Sequence, residues 1–539
     1  MSDRAIEKHD VFGKISIKLA FLLNKGPEER VLLIGKRALL WGEDFQHYFS
    51  HCEKSPSFSH NIEGIDSDSQ KYGLVLWDMT AEDKDVPIEK CFAVAHGSLT
   101  ESGSLVLISN NRYSARKIKQ FLGCGRYRFD SSLSKGLKSY KNLLNKSGFP
   151  CVRGFLPLPS VDDMEDIVAD EVDKFQLPDY FHIIQKIANA CGFYDKIHDG
   201  YILLASVSLS DPIDQFLQWL EVTLSEKLQK KHKLRLVRFD LRKRGALVIF
   251  VADAQGDKKY VVRVAVNNNI DAKIKKNGIW INRLQNNQAI PEQLKNKVPA
   301  PILHSDYLGR DIYIETMLPG ILAWKIIGKN IVKTNIDANA FRFIYDLNSS
   351  TKNSYYVDEQ LFDHFLQEDI NILNESVYLS SEFKSAMSDI VTYVRKQMLG
   401  KTFVLAWAHG DYGYGNIFIN EKDMEIVGVI DWEGARSLEL PGVDMINMRI
   451  QGGRSGSENS LLKSFKNVVE DTLATGRIFY SLNNSYENEF HMGIEEIKII
   501  LLVTSIRFIA REVQYPIIIE EAGEFMAIIS FLRDRICYG

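Results

Sequence analysis

The sequence predicts two domains in series, a doubly wound α/β domain followed by an α+β domain. Three observations carry that expectation. Short apolar runs alternate with helical stretches in the first part of the chain, an antiparallel pattern occupies Leu234 to Val266, and from about Asn335 onward the chain reads as mostly helical. With 539 residues, the chain also exceeds the size at which one hydrophobic core stops growing.

Val31–Leu32–Leu33–Ile34–Gly35 is a short apolar run ending in glycine, as expected of a buried parallel strand. Leu74 to Asp78 and Ser104 to Ile108 repeat the pattern, with helical stretches at Ser114 to Phe121 and Tyr140 to Lys146. Strands alternating with helices predict the doubly wound sheet. From about Pro178 to Lys231 the pattern reads as helical, with a break at Leu209–Ser210–Asp211–Pro212. Asp211 followed by Pro212 opens a helix whose apolar side is marked by Phe216, Trp219, Leu220 and Val222. The antiparallel segment then turns at Gln255–Gly256–Asp257 and returns as Lys258 to Val266. These shifts divide the chain into residues 1–175, a helical connection at 176–232, and a second domain at 233–539.

Composition narrows the function classes. The chain is 45% apolar and 25% charged, ordinary for a soluble globular protein. A net charge of −4 builds in no general attraction to nucleic acid or anionic lipid. Basic clusters at Lys230 to Lys233 and Arg242 to Arg244 are expected to be solvated. Six scattered cysteines without a CxxC pair argue against a zinc site or a disulfide framework and suit a reducing compartment. The charged opening MSDRAIEKHD lacks the apolar core of a signal peptide, and Ile499 to Ile506 is too short to span a bilayer, so it is expected to be a buried helix. A cytoplasmic protein follows as the expectation.

The chemistry concentrates between Leu405 and Gly434. LAWAHGDYGYGNIFIN contains HGDxxxxN, an apolar hairpin follows, and IVGVIDWEG ends it. Phosphoryl transfer from ATP needs a carboxylate to orient and deprotonate an acceptor hydroxyl, and oxygen ligands to hold magnesium against the phosphates. Asp411 fits the first role. Asn416 and Asp431 fit the second, because a hairpin turning at Glu421–Lys422–Asp423 would bring them to one point.

These motifs resemble the aminoglycoside phosphotransferase and choline kinase superfamily, whose fold is that of the protein kinases. The resemblance covers roughly Leu234 to the C-terminus and implies a bilobal domain, with an N-lobe at 233–320 and a C-lobe at 321–539. It implies Asp411 as catalytic base, Asn416 and Asp431 as metal ligands, and ATP and Mg2+ as cofactors. Asp444, in Pro441–Gly442–Val443–Asp444, is expected to be structural. Gly245 stands where the phosphate-covering loop belongs, and Arg263 where many kinases carry Lys; a guanidinium there can still hold phosphate oxygens. No Glu occurs between Asn267 and Ile290 to pair with Arg263, so Asn277 or a neighbour is expected in its place. Backbone groups from Glu315 to Met317 are expected to read the adenine.

The opening domain resembles class I methyltransferases fused to kinases or transferases of bacterial surface-polysaccharide pathways. Tyr72 to Asp78, Gly103 to Asn111, Asn110–Asn111–Arg112–Tyr113 and Ser147 to Ser160 carry that resemblance. It implies a site for S-adenosylmethionine. The turn after Ile34–Gly35 departs from the glycine-rich pattern, since Lys36 to Trp41 intervene before Gly42. A degenerate or substrate-positioning domain is therefore expected over an active methyltransferase.

Three functions compete. The first is an ATP- and magnesium-dependent phosphotransferase acting on a hydroxyl of a sugar, glycan or other small polar acceptor. The second is a bifunctional methyltransferase–kinase, and the third a pseudokinase scaffold that binds a partner without turnover. Glu470, Asp471, Glu495 and Glu496, on the C-terminal helices, could meet a cationic acceptor or form a solvated face.

Overall fold

The computed structural model describes residues 21, 23–35, 45–46, 49–55, 71–79, 87–110, 137–159, 164–169, 200–209, 211–240, 246–253, 259–265, 268–327, 330–453, 460–478, 485–514 and 519–538. Two units divide the chain, one of residues 1–274 with 302–317, the other of residues 275–301 with 318–539.

Among the described residues, the first unit is built on one twelve-stranded sheet. Its parallel part joins β1 (Arg30–Ile34), β2 (His51–Ser55), β3 (Tyr72–Asp78) and β4 (Leu99–Asn110) in the order β2-β1-β3-β4. Side chains alternate faces along a strand, so both faces must be covered. Val31, Leu33, Leu74, Leu76, Val106 and Ile108 point to one core; Leu32, Ile34, Val75, Trp77, Leu105 and Leu107 point to the other. Helices α1 (Ile88–Ser98) and α2 (Leu137–Lys146) cover the second core through Phe92 and Tyr140, whereas α3 (Pro212–Leu228) covers the first through Phe216, Leu220 and Leu224. Asp211 caps α3 by accepting from the Ile213 N–H at 2.8 Å. Val222 does not share that apolar face: two residues beyond Leu220 it has turned to the far side of the helix and is exposed.

β5 (Cys151–Pro159), β6 (Met164–Ala169) and β7 (Gly200–Ser206) extend the sheet antiparallel to their neighbours. β7 lies within the stretch expected to be a helical connection. Its apolar run Tyr201 to Ala205 is a fully buried strand, a case in which apolar residues alone do not separate helix from strand. β6 pairs with β5 on one side and with β8 (Leu234–Asp240) on the other, so the ladder passes without interruption into β9 (Leu247–Asp253), β10 (Lys259–Val264), β12 (Arg310–Thr316) and β11 (Pro301–Tyr307). Strands assigned from sequence to the opening lobe of the second domain thus complete the sheet of the first.

Gly35 closes β1 with φ 103°, and a Cβ there would stand 2.5 Å from the Asp78 carbonyl oxygen. Glycine at this point lets two strand ends approach. The turn at 36–42, the helix expected at Ser114 to Phe121, Asn111 to Tyr113, the cluster Arg242 to Arg244, Gly245, and the turn at Gln255–Gly256–Asp257 lie outside the described residues.

Helix α4 (Asn268–Asn286) contains the boundary between the units. The second unit holds two three-stranded sheets, β13 (Ile321–Leu322) with β16 (Ile417–Ile419) and β17 (Ile426–Val429), and β14 (Asn353–Tyr356) with β15 (Thr402–Ala408) and β18 (Arg436–Glu439). Around them pack α5 (Asn330–Thr351), α6 (Glu359–Glu375), α7 (Ser381–Met398), α8 (Val443–Gly453), α9 (Leu461–Thr475), α10 (Ile494–Glu512) and α11 (Ile519–Leu532). The apolar run at Ile499 to Ile506 lies inside α10 and is buried in the core. Among the described residues, no helix is long and apolar enough to cross a membrane.

Candidate active site

Strand β15 delivers the chain to His409, which is wholly buried. Its Nε2 lies 2.8 Å from the Ile430 carbonyl and its Nδ1 accepts the Asp411 N–H at 3.2 Å. One nitrogen donating and the other accepting is the neutral imidazole, and burial holds the ring below its ordinary pKa. The ring packs against Trp432, with centroids 4.5 Å apart. Gly410 follows with φ 79°, and a Cβ on it would lie 2.0 Å from the Gly434 carbonyl oxygen. Only glycine lets the loop cross the chain there.

Asp444, at the start of α8, holds this crossing from behind. Its two carboxylate oxygens accept the N–H groups of His409 at 2.6 Å and Gly410 at 2.9 Å. Burial outweighs those two bonds and pushes its carboxyl up to about 7. Tyr412 fastens the next residue: its hydroxyl donates to the Ala340 carbonyl at 2.9 Å, and its own carbonyl accepts from Asn447 Nδ2 at 3.0 Å.

Within this frame the structure brings Asp411 and Asn416 together. Asn416 Nδ2 donates to the Asp411 carbonyl at 2.9 Å and to its carboxylate Oδ2 at 3.2 Å. Two acceptors on that side fix the amide orientation, so Asn416 Oδ1 is the atom left to face a cation. The hairpin sets Asp431 beside it. β16 and β17 pair antiparallel, and the Ile430 N–H donates to the Asn416 carbonyl at 3.0 Å, one residue before Asp431. Asp431 adopts the left-handed conformation at φ 64°, ψ 59°, unfavourable for a residue with a Cβ and maintained by its surroundings. Trp432 clamps the following turn: its N–H donates to Asn277 Oδ1 at 2.8 Å and its Nε1 to the Val429 carbonyl at 3.0 Å.

One carboxylate and one amide oxygen suit a hard cation that keeps water and phosphate oxygens as its other ligands. Among the described residues there is no group of three or more His, Cys, Asp or Glu side chains that could hold a metal alone.

Two side chains that the sequence reading passed over also reach Asp411. Arg511, in the last turn of α10, donates from Nη1 to Asp411 Oδ1 at 2.5 Å and to the Gly410 carbonyl at 3.3 Å. Gln451, on α8, lies 3.4 Å from the same Oδ1. Arg511 is 100 residues from Asp411 in sequence and belongs to no motif, so nothing local announced it.

In the first unit, Arg263 on β10 pairs with Glu315 on β12 at 2.9 Å. A strand glutamate thus partners the cation. Asn277, expected in that role, instead holds Trp432. The Glu315 side chain is committed to Arg263, and the Met317 N–H donates to the Lys259 carbonyl at 3.0 Å, extending the β10–β12 ladder.

No protein-family model and no curated protein sequence matches the chain. Solved structures do overlay part of it. A Ralstonia eutropha protein described as an aminoglycoside phosphotransferase covers 59% of this chain and 98% of its own, at 14% identity and TM-score 0.40. Aminoglycoside phosphotransferase APH(3'')-Id from Streptomyces rimosus, solved with ADP and streptomycin, covers 48% of this chain and 90% of its own, at 12% identity and TM-score 0.31. Aminoglycoside phosphotransferase APH(2'')-Ib, solved with ADP, covers 53% and 99%, at 16% identity and TM-score 0.30.

Proposed function

We propose that this protein is an ATP- and magnesium-dependent phosphotransferase acting on a hydroxyl of a small polar acceptor, such as a sugar or glycan. The observation that carries the reading is the loop 409–416. Asn416 restrains the Asp411 carboxylate while leaving its own Oδ1 to face a cation, and the β16–β17 hairpin brings Asp431 beside it. Such a loop, braced by a buried carboxylate and crossing the chain at a glycine, costs conformational freedom that a surface turn has no reason to give up.

The chemistry follows from the donors. Asp411 Oδ2 accepts one long bond, from Asn416, and keeps a lone pair for an acceptor hydroxyl. As that hydroxyl oxygen bonds to the γ-phosphorus, the bond from phosphorus to the β–γ bridging oxygen breaks and its electron pair leaves on ADP. The hydroxyl proton passes to Asp411. Magnesium, when bound, neutralises charge on the phosphate oxygens. Asn416 and Asp431 would hold it.

Calorimetric titration of ATP with magnesium into wild type and Asp431→Ala tests the reading. Magnesium-dependent binding that weakens about tenfold or more in the variant is expected. Absence of nucleotide binding by folded wild type would overturn it and leave a scaffold.

The parallel order β2-β1-β3-β4 with helices on both faces supports a methyltransferase-like reading of the first unit. Gly35, which would have to admit a cofactor, instead backs onto Asp78. That contact favours a positioning module over a second activity, and calorimetry with S-adenosylmethionine separates the two.

A further inference from the structure

We propose that Arg511 selects the acceptor, and that the acceptor carries an anionic group, a carboxylate or a phosphate ester, beside the hydroxyl that is phosphorylated. The inference rests on the phosphotransferase reading above and names its substrate class.

Two independent observations carry it. The first is the placing of the guanidinium. Arg511 Nη1 is spent on Asp411 Oδ1 and the Gly410 carbonyl, and Nε faces Glu512 Oε1 at 3.5 Å. Nη2 has no partner among the described residues, and the side chain keeps 25% of its surface exposed. A planar fork with one arm on the base and the other without a partner can take a carboxylate or phosphate oxygen beside the base. Arg511 sits on Oδ1, whereas the lone pair that would receive the acceptor hydroxyl is on Oδ2. Positioning the base and reading the anion are therefore compatible.

The second observation concerns the four acidic residues of the C-terminal helices that the sequence offers to a cationic acceptor. Each is already committed. Asp471 pairs with Arg449, and Glu470 accepts from Arg535 at 3.1 Å. Glu495 accepts from Lys498 at 2.9 Å and from the Tyr393 hydroxyl at 3.2 Å, while Glu496 caps α10 through the Gly493 N–H at 2.9 Å. The ionised group nearest to Asp411 is the cation Arg511, and an ammonium brought to the base would meet it as a like charge.

The test uses the full chain with magnesium and a non-hydrolysable ATP analogue. Glucose 6-phosphate, glucuronate, glucose and kanamycin are titrated by calorimetry into wild type, Arg511→Gln and Arg511→Lys. At least one anionic probe is expected to bind wild type roughly tenfold tighter than glucose, losing that margin in Arg511→Gln and recovering part of it in Arg511→Lys. Glucose 6-phosphate against glucuronate distinguishes a phosphate from a carboxylate. Binding of kanamycin or glucose as tightly as the better-bound anion, an anion preference unmoved in Arg511→Gln, or no probe bound by protein that holds the nucleotide would overturn the inference and leave the kinase reading standing. Failure to bind the nucleotide analogue would overturn the kinase reading itself.

Discussion

Arg263 and Glu315 form an ion pair of 2.9 Å diagonally across the β10–β12 ladder, with Glu315 almost wholly buried. Removing one partner of such a pair leaves a charge without compensation. Glu315→Leu is therefore expected to cost about 3 kcal/mol. Adding Arg263→Met should recover most of it, because two apolar side chains pack where two charges stood. Denaturant unfolding of the singles and the double checks this, and a double variant no more stable than Glu315→Leu would remove the pair from the account.

Asp411→Asn keeps the shape of the site but cannot take up a proton. Acceptor-dependent ADP release should fall about 100- to 10,000-fold while nucleotide affinity stays near that of wild type. A parallel loss of nucleotide binding would instead place Asp411 in the binding of ATP.

Gly410→Ala sets a Cβ into the Gly434 carbonyl at a backbone φ of 79°. The loop must shift, with a stability loss of about 1–3 kcal/mol. Turnover should fall further than stability, since Asp411 is the next residue. Activity and thermal unfolding measured on the same preparation separate the two effects.

The pH dependence of stability carries a signature of Asp444. Its folded pKa, about 7, lies above the unfolded value of 3.8. The contribution is fully present below the unfolded pKa and is lost as pH rises through the folded one. His409, held below its ordinary pKa, acts with the opposite sign. It cancels when wild type is compared with Asp444→Asn. Asn presents an N–H2 to one of the two backbone N–H groups, so the variant should be less stable by about 1–3 kcal/mol. The gap should be widest near pH 4 and narrow toward pH 8. Melting curves across that range test it, and a gap constant with pH would contradict the raised pKa of Asp444.

Local patterns made the outlines of this protein legible in the sequence. The strands of the first unit follow from short continuous apolar runs, as expected where both faces of a sheet are covered. Asp411, Asn416 and Asp431 stand in one short segment, where five residues and a hairpin suffice to predict their neighbourhood. The Asp211–Pro212 helix start was equally local.

What the tertiary structure decided involves partners far apart in the chain. Arg511 reaches Asp411 across 100 residues, Asn277 reaches Trp432 across 155, and Glu315 reaches Arg263 across 52. No periodicity encodes such pairs, because they depend on how helices and strands pack after they form. The same holds for β6, whose pairing with β5 and β8 merges two expected domains into one sheet. Backbone hydrogen bonding is indifferent to side-chain identity, so a strand's sequence announces that it will pair but not with which neighbour.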